Sequence, residues 1–233
     1  MEEKEESIEE RFKSTETINS LGVPIFRYEY EVLKDIYAQI GKRPEEFYKY
    51  VIKDGCVVSL DISELEFAEL PESVKHFKHL KRLEAVGNKL TSLPDSIGDI
   101  VSLEHLKVRD NQLTYLPDTI GNLKNLITLD AGKNQLASLP YSIGNLEKLE
   151  SLSLGSNKLT SLPDSIGELD YFLRSLNLGK NELTDLPESL GDLKGLRSIT
   201  LGGNKLDYKS PKILIIFRRL YAGNCDIHKH SRW

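Results

Sequence analysis

A 23-residue phrase recurs through most of this chain, and no other property of the sequence limits its fold so tightly. Leu103 to Asn125 reads LEHLKVRDNQLTYLPDTIGNLKN, or L-x-x-L-x-L-x-x-N-x-L-x-x-L-P-x-x-I-G-x-L-x-x. The frame restarts at Leu80, Leu126, Leu149, Leu173 and Leu196, and more loosely at Val57. A fixed period of this length means that each unit is one supersecondary element stacked on its neighbours. In each unit, L-x-x-L-x-L puts apolar side chains on one side of a short strand at period two. The later Leu, Ile and Leu fill the same interior from the returning segment. One copy cannot bury so many apolar positions, so adjoining coils supply the missing walls. The expectation is a stack of coils whose strands lie side by side.

The remaining fixed positions read as parts of that stack. Asn88, Asn111, Asn134, Asn157, Asn181 and Asn204 form a column spaced 23, 23, 23, 24 and 23. A primary amide donates and accepts, so each is expected to bond the backbone of adjacent coils where the chain leaves the sheet. Pro94, Pro117, Pro140, Pro163 and Pro187 fix φ at the next corner. Asp95, Asp118, Asp164 and Glu188 follow them, near the start of a short helical or 3-10 turn whose exposed N–H groups favour an acid. Spaced one per coil on a solvated side, these acids read as turn chemistry and not as a metal stripe. Gly98, Gly121, Gly144, Gly167 and Gly191 are expected to allow the tight turn that follows.

The flanks depart from the frame. Residues 1–56 form an acidic tail and a helical cap, 57–206 the seven repeats, and 207–233 a capping helix with a basic tail. The first 20 residues carry seven acids and three bases, with Ile8, Phe12 and Ile18 spaced for one side of a helix, and read as a solvated, fraying helix or a disordered tail. Gly22-Val23-Pro24 breaks it. Val32, Leu33, Ile36, Tyr37 and Ile40 then share a helical stripe over 28–40, ended by Gly41. A second short helix is expected from Pro44 to Lys53, with Phe47, Tyr48 and Val51 inward. Five tyrosines here (Tyr28, Tyr30, Tyr37, Tyr48 and Tyr50) suit a cover over the apolar end of the array. At the other end Lys209 stands where a core leucine belongs. Ser210-Pro211 then opens a helix with Ile213, Leu214, Ile216, Phe217, Leu220 and Tyr221 apolar, stopped by Gly223.

Composition narrows the function. The net charge is -5, with no basic run of the kind a nucleic-acid binder presents. The start, MEEKEESIEER, lacks the apolar core of a signal peptide. The longest apolar run, Ile213 to Phe217, is too short to cross a bilayer. Cys56 and Cys225 flank the array, whose ends lie roughly 29 Å apart if seven strands stack at ~4.8 Å. A disulfide needs Cα atoms within about 7 Å, so both thiols are expected free, in a reducing cytoplasm. No GxxxxGK[ST] loop or GxSxG elbow is present, so no enzyme is expected. Cys225-x-x-His228-x-His230 offers three ligands on a polar tail, a poor metal set, and neither metal nor cofactor is expected.

The LPxxIGxLxxL half of each unit resembles the Ras-group intracellular leucine-rich repeat proteins, and less closely the phosphatase-regulating type with shorter repeats. The resemblance covers about residues 57–206. It implies an α/β solenoid with a curved parallel sheet on the concave side, short helical or 3-10 turns on the convex side, and helical caps. It also implies a monomeric protein-binding scaffold with a small GTPase or a phosphatase as partner. An exported effector or adhesion module is the other class left open. Leu65 replaces the column asparagine and Lys75 the column glycine in the first unit, as suits an edge.

On such a sheet the variable strand positions face the concave side. Those of the first half are large and charged; those of the second, such as Ser151, Ser153, Ser175, Gly155 and Gly179, are small and neutral. Arg82, Glu84, His105, Lys107, Arg109 and Asp130 are therefore the expected recognition patch, since arginine anchors partners well. The fifth unit holds one extra residue at Asp170-Tyr171-Phe172, with Tyr171 expected outward and Phe172 inward. Tyr115 and Tyr141 are lesser outward candidates.

Overall fold

The computed structural model describes residues 17–20, 23–43 and 49–229. Seven of its strands are the repeat strands: β4 (Cys56–Asp61), β5 (Arg82–Glu84), β6 (His105–Lys107), β7 (Thr128–Asp130), β8 (Ser151–Ser153), β9 (Ser175–Asn177) and β10 (Ser198–Thr200). They pair in parallel with one residue of each coil opposite its counterpart in the next, as in Leu83↔Leu106 and Leu106↔Leu129. The middle residue of each of β5 to β10 is buried and its two neighbours face out. The leucines and isoleucines of all coils form one continuous apolar interior. A parallel sheet with 3-10 turns opposite it is the solenoid that the resemblance implied.

The asparagine column is the seam between coils. Asn134 Oδ1 accepts from the Leu113 N–H at 3.0 Å. Its Nδ2 donates to the carbonyls of Val108 (3.0 Å), Ala131 (3.1 Å) and Gly132 (3.2 Å), so one amide joins two coils. Asn88 through Asn181 are buried, and Asn204, nearest the end, is partly exposed. The residue just before each column position has a left-handed backbone: Glu64, Gly87, Asp110, Lys133, Ser156, Lys180 and Gly203 have φ between 50° and 78°. That corner carries the chain off the sheet and turns the amide inward.

On the opposite side, short 3-10 turns such as Asp95–Asp99, Asp118–Asn122 and Tyr141–Asn145 each follow an extended proline. The proline carbonyl closes the turn, as in Ile120 N–H to Pro117 at 3.0 Å. The glycine column does something other than relax φ, since none of its members has a positive value. A Cβ added at Gly121 would lie 2.5 Å from the Ser142 carbonyl oxygen of the next coil. The column exists because adjacent turns meet backbone to backbone, on a Thr or Ser that is itself small.

The caps differ more from expectation. Helix α1 (Arg27–Ala38) buries Val32, Leu33, Ile36 and Tyr37, and Gly41 follows it at φ 65°. Before it, β1 (Thr17–Ser20) and β2 (Val23–Phe26) form an antiparallel pair, so the expected helix does not include Ile18. Residues 1–16, with Ile8 and Phe12, lie outside the described part. The helix expected over 44–53 is contradicted where it can be seen. Residues 44–48 are outside the described part, while β3 (Tyr50–Lys53) is a strand antiparallel to β4. Asp54 and Gly55, at φ 52° and 78°, make the two-residue turn, and Asp-Gly between β-forming runs favours a hairpin of this kind. Val51, expected inward, is more than half exposed at 55 %.

At the far end α2 (Pro211–Ala222) buries Ile213, Ile216, Phe217 and Leu220, leaving Leu214 and Tyr221 at the surface. A final strand, β11 (Asp226–His228), pairs in parallel with β10, so the sheet has nine strands. The extra residue of the fifth unit prolongs the turn Asp164–Leu169 and leaves Tyr171 exposed. Phe172 is 49 % exposed and does not pack inside: Leu169 and Leu173 hold the interior places, and the insertion lifts both aromatics out.

A candidate protein-binding face on the concave sheet

The outward residues of β5 to β10 face the concave side, because each of these three-residue strands buries only its centre. Parallel register then sets Arg82 beside His105 and Glu84 beside Lys107, with Lys107 beside Asp130 on the next strand. Arg109 follows two residues after Lys107, and its guanidinium reaches Asp130 at 3.8 Å. The six residues expected to form the patch are therefore contiguous across three coils.

Their charges are interleaved. Glu84 Oε1 accepts from Arg82 at 3.3 Å and from Lys107 at 3.0 Å. Such half-exposed pairs add little stability. Their effect here is to hold long side chains extended over the sheet. Asp130 is more committed than a free acid, because its Oδ1 also accepts from the Gly132 N–H at 3.0 Å. Asp61 and Asn177 cap their own turns in the same way. Partial burial and the neighbouring Arg82 hold the His105 imidazole below its ordinary value.

The smooth half has a structural cause that the sequence alone does not display. A Cβ at Gly132 would lie 2.7 Å from Arg109 Nη1, and one at Gly155 would lie 3.0 Å from the Asn177 amide. These glycines make room for a side chain reaching over from the neighbouring coil. Tyr115 and Tyr141, at 51 % and 66 % exposure, stand outside this face. Cys225 is buried as a free thiol at the far end, and no metal-ligand cluster includes it among the described residues. Among the described residues no helix is long and apolar enough to cross a membrane.

A family model for a leucine-rich repeat region matches residues 98–215. A Leptospira interrogans leucine-rich repeat protein of known structure is 31 % identical, over 72 % of this chain and 54 % of that one, with a TM-score of 0.39. A plant peptide hormone receptor, solved in complex with its peptide RGF2, is 29 % identical over 64 % of this chain and 29 % of that one (TM-score 0.53). Pollen receptor kinase 3 shares the fold at 24 % identity, covering 73 % of this chain and 86 % of that one (TM-score 0.60). This chain thus spans about half of the Leptospira protein and under a third of the hormone receptor. A search of curated proteins found no match. With half its length matched by the family model, the chain belongs to the leucine-rich repeat proteins.

Proposed function

We propose that this protein is a non-enzymatic scaffold that holds a protein partner on the first half of its concave sheet. The observation that carries the reading is the interleaved set Arg82, Glu84, His105, Lys107, Arg109 and Asp130, laid side by side by strand register. Aromatic side chains, which dominate many tight interfaces, do not occur at these positions, so the contact is electrostatic, steered by charge and weakened by salt. A similar repeat protein, the plant peptide hormone receptor solved in complex with RGF2, supports the reading of a partner-binding array. By the resemblance of the repeats, the partner is a small GTPase and the setting cytoplasmic signalling, with this chain acting as a monomer.

Replacing Arg82 and Arg109 together by glutamate reverses two half-exposed charges without touching the core. The double variant is expected to keep its melting temperature and lose capture of the native partner in a pull-down read by mass spectrometry. Undiminished capture rejects the patch. Capture of a phosphatase in place of a GTPase keeps the patch and replaces the partner class.

A further inference from the structure

Where the N-terminal segment meets the first coil, three side chains from separate elements converge. Glu29 lies in the first turn of α1, Cys56 opens β4, and His79 stands three residues before β5. A carboxylate oxygen, the thiol sulfur and an imidazole nitrogen lie within 4.8 Å of one another. Glu29 is fully buried and Cys56 is 5 % exposed, while His79 sits at the surface and closes the cluster from outside.

Glu29 is only half satisfied. Its Oε2 accepts from the Val57 N–H, but Oε1 is buried with no hydrogen-bond partner. An unpaired buried carboxylate oxygen is costly, and such groups are normally paired or bound to a metal. Burial pushes the Glu29 carboxyl up to about 7 and raises the Cys56 thiol as well. The Tyr28 side chain lies beside the Cys56 thiol, which also donates to the Asp54 carbonyl at 3.8 Å.

We propose that Glu29, Cys56 and His79 bind a zinc-type divalent cation, leaving a fourth position open to water on the His79 side. One sulfur, one nitrogen and one oxygen are the donors that Zn²⁺ takes in tetrahedral sites. Calcium and magnesium, which take oxygen ligands, are excluded by the thiol and the imidazole. Bonds of roughly 2.0–2.3 Å place tetrahedral ligands about 3.3–3.8 Å apart, so the cluster, whose ligand atoms lie within 4.8 Å of one another, closes by at most about 1.5 Å when the ion enters. Cys56 binds as thiolate and Glu29 as carboxylate, each releasing any proton it carries to solvent, and the imidazole binds neutral. The ion joins α1, β4 and the segment before β5, and so staples the cap to the array. It also supplies the partner that Glu29 Oε1 lacks.

The test uses the full chain, reduced, stripped with a chelator and dialysed. Zn²⁺ affinity is measured by competition with a chromophoric chelator, and Co²⁺ serves as a spectroscopic stand-in. The expected result is one equivalent per chain, a thiolate-to-cobalt charge-transfer band, and a melting temperature that rises with Zn²⁺. Cys56→Ser is expected to abolish the band. His79→Ala, at a surface position where folding is not at stake, is expected to weaken affinity by about tenfold or more and to remove the thermal shift. Cys225→Ser is expected to change neither. The proposal is overturned if His79→Ala binds Zn²⁺ as tightly as the unaltered chain. It is equally overturned if the cobalt band survives Cys56→Ser, or if the stripped chain takes up no Zn²⁺.

Discussion

At the scale of single residues, Asn134 carries more of the structure than its size suggests. Its amide satisfies the buried Leu113 N–H and three carbonyls in two coils. Asn134→Ala leaves those groups unpaired away from water and is expected to cost ~1–3 kcal/mol, read by chemical denaturation. The residue before the next column member behaves oppositely. Ser156 is held at φ 61°, a conformation that costs an L-residue ~1–2 kcal/mol and glycine almost nothing. Part of that gain is lost to the greater freedom of glycine in the unfolded chain, ~0.4–1 kcal/mol. Ser156→Gly is therefore expected to stabilise by about 0.5–1 kcal/mol, seen as a higher melting temperature. The asparagines were legible in the sequence because their identity repeats. The left-handed column was not, because Glu64, Asp110, Lys133, Ser156 and Lys180 share a backbone angle and no side-chain chemistry. Only Gly87 and Gly203 signal it by type.

Among the elements, the 3-10 turns show how a correct pattern can be given the wrong cause. The glycine column reads as turn flexibility, yet its members have ordinary φ; Gly98, Gly121, Gly144 and Gly167 lie against the backbone of the next turn, and Gly191 against α2. Gly121→Ala is expected to force adjacent turns apart and destabilise by about 1–3 kcal/mol, measured in a urea titration. The same substitution at Gly41, where φ is 65° and a Cβ would meet nothing, costs only backbone strain, so the two variants separate packing from conformation. Elements with the repeat behind them were readable at residue precision. The cap elements had one copy each and no period to lean on. Asp54-Gly55 was the available signal for the β3–β4 hairpin, and the tyrosine-rich run before it reads as a helical stripe. For the concave patch the columns were visible, whereas the ion pairs of Glu84 and the commitment of Asp130 to Gly132 depend on which coil faces which.

For the whole molecule, stability is a chain of neighbour contacts, so a defect at one end is felt locally. Phe217 is the largest apolar residue α2 buries against the last coil. Phe217→Ala is expected to cost about 3–5 kcal/mol. Hydrogen exchange should show the loss concentrated in β9, β10 and β11, with β5 and β6 keeping their protection. Uniform loss of protection would mean that the array unfolds as one unit. The two halves of the concave sheet also differ: one carries interleaved charges, the other is smoothed by glycines over which neighbouring side chains lie.

The antiparallel hairpin strand at the start of the sheet has a consequence for growth. A further coil arriving in the common direction would meet Tyr50–Lys53 running the opposite way, so the parallel ladder that joins one coil to the next stops there. That end differs from the array in strand direction, whatever its charge. Among the described residues the coil-to-coil ladder is therefore held inside the hairpin strand, as volumes are held by an upright.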